Sequence, residues 1–208
     1  MSAASGREGP FRSWHEDDTH PRRLNYGPAM LLVGATPLEL APFRQAETLV
    51  CGVGPVEAAA TTALRLASGP RPSGVLQLGI AGARDLDPGT LVLGLEAIYC
   101  DLGEAAIPVI RRAVPDPRLL QLARESLPEA VVVPIGTSAR IGGAVIQASV
   151  EAMEGFAVLR AAEKAGIPAL ELRAVSNRYT DARDEWHIQE ALEALTGVVP
   201  RLLEAFHA

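Results

Sequence analysis

Apolar residues in this chain fall into short unbroken runs, alternating with longer stretches of helical period. MLLVGA (30–35) and TLVCGVG (48–54) are short and apolar, which predicts buried strands. Residues 55–68 run Ala- and Leu-rich and predict a helix, with Pro55 placed in its first turn. Strands are expected at GVLQLGIAG (74–82) and TLVLGLEAI (90–98). A helix should follow DPR (116–118) to about Leu127, and then a short strand AVVVPI (130–135). A helix over 151–165 is closed by Gly166, where a left-handed cap is expected, and IPALELRAVS (167–176) is the next strand. In the last stretch Ile188, Leu192, Leu195, Val199, Leu202 and Phe206 recur at alternating intervals of four and three. That is one apolar stripe of a sheet-facing helix, which Gly197 and Pro200 should bend or break. The alternation implies an α/β fold, with a mixed, mostly parallel sheet covered by helices on both faces. Ligands bind such sheets where strands end in glycine-rich loops.

Residues 1–28 do not share the pattern. Gly, Pro, Arg and acidic residues are mixed there without apolar period, so the segment reads as a disordered tail before one folded domain, 29–208. The pattern begins at Met30, which makes that residue a candidate translation start.

Composition narrows the picture. A chain of 208 residues can bury a large core in one domain. With 48% hydrophobic but only 4% aromatic residues, that core must be built of Ala, Val, Leu and Ile. The net charge of −6, with no dense Lys/Arg run, argues against nucleic acid or an anionic membrane as partner. No run approaches the ~18 apolar residues of a membrane span, and no signal-peptide pattern opens the chain, so a cytoplasmic location is expected. Cys51 and Cys100 each lie in an apolar stretch and read as buried free thiols; a disulfide stays open. Neither belongs to a metal-spaced set.

Several segments could carry chemistry, and each has an ordinary alternative. GVGPVEAA (52–59) sits between a strand and a helix like a dinucleotide loop, but its spacing is wrong and Pro55 removes a needed N–H; a tight turn is its simpler use. GIAGA (79–83) could let a ligand approach backbone N–H groups, or could be a bare turn. In EAMEGF (151–156), Glu154 between Met153 and Phe156 needs partners that ribose hydroxyls would supply, or else Glu151 and Glu154 favour the positive end of a helix. ELRAVSNRYTDARDEW (171–186) ends a strand at Ser176–Asn177. Its Asn can both donate and accept, as purine recognition demands, or it forms an ordinary turn. Glu39, in the apolar GATPLELAPF (34–43), is a helix-surface carboxylate or a catalytic base.

In order and spacing these segments resemble the nucleoside phosphorylase/nucleosidase superfamily, in particular its futalosine hydrolase and methylthioadenosine/S-adenosylhomocysteine nucleosidase branches. The resemblance runs from Met30 to the C-terminus. It is carried by Glu39 after the first strand, by GIAGA at the family's GSAGG, by MEG (153–155) at MEA, and by RAVSN (173–177) at RAISD. It implies a three-layer α/β/α sandwich and hydrolysis of a purine N-glycosidic bond, with water and a small-molecule nucleoside as reactants. A homo-oligomer is expected too, and no metal or cofactor is called for. Glu39 would activate the water, Met153 and Glu154 would grip the ribose, and Ala81, Gly82, Ser176 and Asn177 would line the nucleoside.

Two departures refine this. Adenine-specific members carry Asp where this chain has Asn177. An amide can donate to a 6-oxopurine carbonyl that an ionised Asp would repel, so the resemblance implies hypoxanthine release from futalosine, a step of menaquinone biosynthesis. On the substrate's 5′ side, Trp186 is expected to stack on an aromatic ring and Arg178 or Arg183 to pair with its carboxylate. The family's SGDAFI reads GTSARIGG (136–143) here, so Arg140 stands where a stacking Phe is expected, and Ile141 would contribute backbone contacts. The alternatives are an adenine-releasing nucleosidase acting on methylthioadenosine, S-adenosylhomocysteine or aminofutalosine; a phosphorylase, with Arg84 as candidate phosphate ligand; and a non-catalytic nucleoside- or dinucleotide-binding module.

Overall fold

The computed structural model describes residues 29–102, 108–144 and 146–207, so the expected tail over 1–28 lies outside the described residues. The elements run β1 (Leu31–Gly34), α1 (Pro37–Leu40), a 3-10 turn (Ala41–Phe43), β2 (Glu47–Val50), α2 (Pro55–Ser68), β3 (Val75–Ala83) and β4 (Leu91–Tyr99). They continue with β5 (Arg112–Ala113), α3 (Pro117–Ser126), β6 (Val131–Thr137), β7 (Val150–Ala152), α4 (Gly155–Ala165) and β8 (Ala169–Arg178). A second 3-10 turn (Arg183–Glu185) leads into α5 (Ile188–His207).

Local chemistry sets most of these limits. Pro55 opens α2 directly after Gly54, whose φ of 90° is open to glycine at little cost. Asp116 caps α3 by accepting from the backbone N–H groups of Arg118 and Leu119. Gly166 ends α4 in the left-handed region at φ 64°.

The strands of the described residues form one mixed sheet, ordered β2-β1-β3-β7-β6-β4-β5, with β8 pairing both β3 and β4. Pairs β1–β2, β1–β3, β3–β8, β4–β6 and β6–β7 are parallel; β3–β7, β4–β5 and β4–β8 are antiparallel. The pairings β3–β7–β6–β4–β8–β3 return to their start, so part of the sheet closes into a ring. Ala81, Val92, Ile135, Val150 and Val175 fill its interior. Strand irregularities at Ala81/Gly82 and at Gly94–Ala97 supply the bends that closure requires.

Helices cover both faces. Leu32, Leu76, Leu78, Leu170 and Leu172 pack toward α3 and α5. Leu31, Val33, Val75 and Ala169 pack toward α2 and α4, as strand alternation demands. The result is the α/β/α arrangement expected from the chain's pattern. No described helix is long and apolar enough to cross a membrane.

Two expectations are corrected, and one alternative is removed. The helix foreseen over 151–165 begins only at Gly155, because Val150–Ala152 is drawn into the sheet between β3 and β6. GIAGA forms the last part of β3, as the strand expected over 74–82 implies, and is paired throughout with β8 rather than forming a bare turn. The C-terminal helix runs unbroken through Gly197 and Pro200. A proline inside a helix costs about 3 kcal/mol. Leu195, Val199 and Leu202 on either side of it are buried, at roughly 1.5–3 kcal/mol each, and outweigh that cost.

Candidate active site

The C-terminal ends of β1, β3 and β8 and the β7–α4 junction open onto one cavity of about 220 Å³. Glu39, Ala81, Gly82, Ile141, Met153 and Glu154 line it, as do Ser176, Asn177, Arg183 and Trp186. The structure thus brings together the residues expected to act on or hold the nucleoside, with the exception of Arg178. That side chain lies outside the lining and pairs with Asp87 on the surface. Arg140 and Arg84 do not line the cavity either, and Arg140 is exposed.

Glu39 sits in the single-turn helix α1 and is only 7% exposed. Its Oε2 accepts from the Thr36 N–H at 2.9 Å and the Thr36 hydroxyl at 3.2 Å, while Oε1 accepts from the Ile80 N–H at 3.3 Å. A side chain on Gly79 would collide with Glu39, so this glycine in β3 is what lets the carboxylate reach the sheet.

Glu154, 3% exposed, is the residue before α4. Its Oε1 accepts from the Gly54 N–H at 3.1 Å, and its Oε2 from Arg173 Nη2 at 3.3 Å. The glycine turn of GVGPVEAA, read from sequence as a mere turn, therefore donates a backbone N–H to the site. Glu151 faces the other side of the cavity from β7. It accepts from the N–H groups of Gly142 and Ala144 (2.6 Å for the latter) and so holds the loop that carries Ile141. Asp101 fixes the start of that loop through the Ser138 hydroxyl at 2.6 Å and the Ala139 N–H at 2.7 Å.

At the end of β8, Ser176 Oγ donates to Asn177 Oδ1 at 2.9 Å, and Asn177 Nδ2 donates to the Arg178 carbonyl at 3.0 Å. The second amide hydrogen has no protein acceptor among these bonds. Arg183 lies over the Trp186 ring at the cavity's outer end.

Sequence reasoning missed Arg173. It is 1% exposed and contacts Glu154, Glu171 and the Ile80 carbonyl. Burial alone would lower its pKa, but Glu171, Glu154 and Glu39 outweigh that and hold it above the usual arginine range. The signal was present: two ionisable residues, Glu171 and Arg173, at alternate positions of a strand whose pattern predicts burial. Burial also pushes the Cys51 thiol up to about 12, with the Glu154 charge adding to it, and Tyr179 is raised by burial and then by Glu151. Both cysteines are free and buried.

A mixed sheet ringed at one end, with paired buried carboxylates and an amide facing one cavity, defines a nucleoside-handling α/β enzyme. The chain belongs to the phosphorylase superfamily, whose profile matches residues 45–205. It is 37% identical to the futalosine hydrolase of Streptomyces coelicolor, over 75% of this chain and 77% of that one. Solved structures share the fold at lower identity. The futalosine hydrolase of Helicobacter pylori superimposes with a TM-score of 0.76 at 18% identity, covering 85% of this chain and 97% of that one. The 5′-methylthioadenosine/S-adenosylhomocysteine nucleosidase of Neisseria meningitidis, in complex with methylthio-immucillin-A, gives 0.75 at 20% identity, covering 85% and 99%.

Proposed function

We propose that this protein hydrolyses the N-glycosidic bond of futalosine, releasing hypoxanthine and dehypoxanthine futalosine in menaquinone biosynthesis. The observation that carries the reading is the convergence of Glu39, Glu154 and Asn177 on one cavity, in a chain related to a futalosine hydrolase. Glu39 takes the proton of the attacking water. Glu154 accepts from the ribose hydroxyls, and its negative charge favours the cationic character that the sugar gains in the transition state. Asn177 donates its second amide hydrogen to the 6-oxo group of the leaving base. Its Oδ1, with one lone pair beyond the Ser176 bond, accepts from the N7–H once a solvent water has protonated that nitrogen.

Electrostatics favours water over phosphate as nucleophile. Of the two arginines that line the cavity, Arg173 is already engaged by two carboxylates and Arg183 is at the outer end, over Trp186. A phosphate beside Glu39 and Glu154 would meet like charge. The same reading places the enzyme in the cytoplasm as a homo-oligomer; sedimentation tests the oligomer.

The deciding experiment is a chromatographic assay with futalosine, aminofutalosine, inosine and methylthioadenosine, with and without phosphate. Hypoxanthine release from futalosine in phosphate-free buffer is expected. Adenine release alone would overturn the reading in favour of an adenine-specific nucleosidase.

A further inference from the structure

Glu171 has no place in the chemistry above, yet it is completely enclosed. It lies two residues before Arg173 on β8 and so shares that strand's face. Its Oε1 accepts from Arg173 Nε at 2.9 Å, and its Oε2 is buried with no hydrogen-bond partner. A buried carboxylate with one unsatisfied oxygen is costly, and its retention calls for a reason.

Gly155 supplies the room. A Cβ placed on Gly155 would fall directly on the Glu171 carboxylate. The third position of the MEG segment, at the start of α4, is thus tied to a residue sixteen positions later on β8.

The pair bears on the site through Arg173. Its guanidinium is held at three points: Nε by Glu171, Nη1 by the Ile80 carbonyl at 3.3 Å, and Nη2 by Glu154 at 3.3 Å. The group is planar, so anchoring Nε fixes the direction in which Nη2 points. Glu154 is gripped from one side by Arg173 and from the other by the Gly54 N–H.

We propose that Glu171 is a positioning residue: through Arg173 it sets the orientation of the cavity carboxylate Glu154, and Gly155 is the space this arrangement requires. The effect on substrate rests on the reading of Glu154 as the ribose-binding group. The Glu171–Gly155 coupling does not.

The test compares Glu171→Leu, Glu171→Gln, Gly155→Ala and the double variant Gly155→Ala/Glu171→Leu by steady-state kinetics and thermal unfolding. Glu171→Leu removes the acceptor for Nε at similar volume and is expected to raise KM about tenfold or more, with a further fall in kcat because Glu154 also favours the cationic transition state. Glu171→Gln keeps an oxygen for Nε and is expected to recover most of that loss. A purely steric role would leave Leu and Gln alike. Gly155→Ala should reproduce the Glu171→Leu defect, and the double variant should be no worse than the poorer single, since both changes strike one contact.

Wild-type KM in Glu171→Leu, equal defects in Leu and Gln, or additive effects of Gly155→Ala and Glu171→Leu would each overturn the proposal. If Glu171→Leu does not fold, Gly155→Ala decides alone, and an unchanged KM overturns it. If the wild type cleaves no purine nucleoside, the functional reading fails separately. The same comparison then uses the Kd for inosine and the unfolding cycle, with non-additivity expected and additivity overturning the coupling.

Discussion

The guanidinium carbon of Arg183 lies 4.0 Å from the centroid of the Trp186 ring, a cation–π contact at the outer end of the cavity. One face of the indole is therefore already covered by the guanidinium of Arg183, an exposed residue. Arg178, the other arginine considered for a 5′ carboxylate, is turned to Asp87. The arrangement favours Arg183 as the partner of an anionic 5′ substituent.

Arg183→Ala is accordingly expected to raise KM for futalosine about tenfold, the scale of one charge-assisted hydrogen bond, and to leave KM for inosine nearly unchanged. Arg178→Ala should do little to either. Michaelis constants for the two nucleosides, measured side by side, check this; unchanged values in both variants would remove the 5′ assignment.

Glu39→Gln retains the size of the side chain and removes the base. Hypoxanthine release should fall by about 100-fold or more in kcat, the usual scale for a lost general base, with KM little changed. Full turnover in this variant would exclude the water-activation mechanism.

Asn177→Asp replaces the amide donor with a carboxylate at a 4%-exposed position. The ratio of kcat/KM for futalosine to that for aminofutalosine is expected to drop by about tenfold or more, because a site that loses its donor leaves the 6-oxo group unpaired. A ratio that stays constant would show that the base is read elsewhere.

Cys51 and Cys100 test the burial directly. With the Cys51 thiol pushed up to about 12, chiefly by burial, the thiolate fraction at pH 8 is on the order of 10⁻⁴, so the folded protein should not react with iodoacetamide there. Both cysteines should label once denaturant is added. Because the pKa is raised, any labelling of Cys51 in the native state should grow as the pH rises toward 12. Mass spectrometry of the labelled chain reads the result.

Much of this architecture was legible along the chain because its causes are local. Pro55 opens α2 and Gly166 closes α4 through backbone constraints that two or three residues carry by themselves. The stripe from Ile188 to Phe206 shows as a period whatever the helix packs on. Glu39, Glu154 and Asn177 could be picked out because polar residues in apolar surroundings need partners, though the partners themselves could not be named.

What the chain by itself determined, then, is most of the longer elements, their faces, and the residue types that a nucleoside site would need. The tertiary structure alone decided how they meet. Val150–Ala152 is three residues long and becomes a strand only because β3 and β6 offer hydrogen bonds on both sides. Pro200 is tolerated because buried leucines and a valine hold α5 against the sheet. Arg173, Glu171 and Gly155 acquire their roles from contacts between strand, helix and turn, with the Gly54 N–H reaching Glu154 across a separation of 100 residues. Local signals fix backbone shape because a few neighbouring dihedrals suffice. The orientation of a buried charge depends on groups that only the closed sheet brings within hydrogen-bond distance.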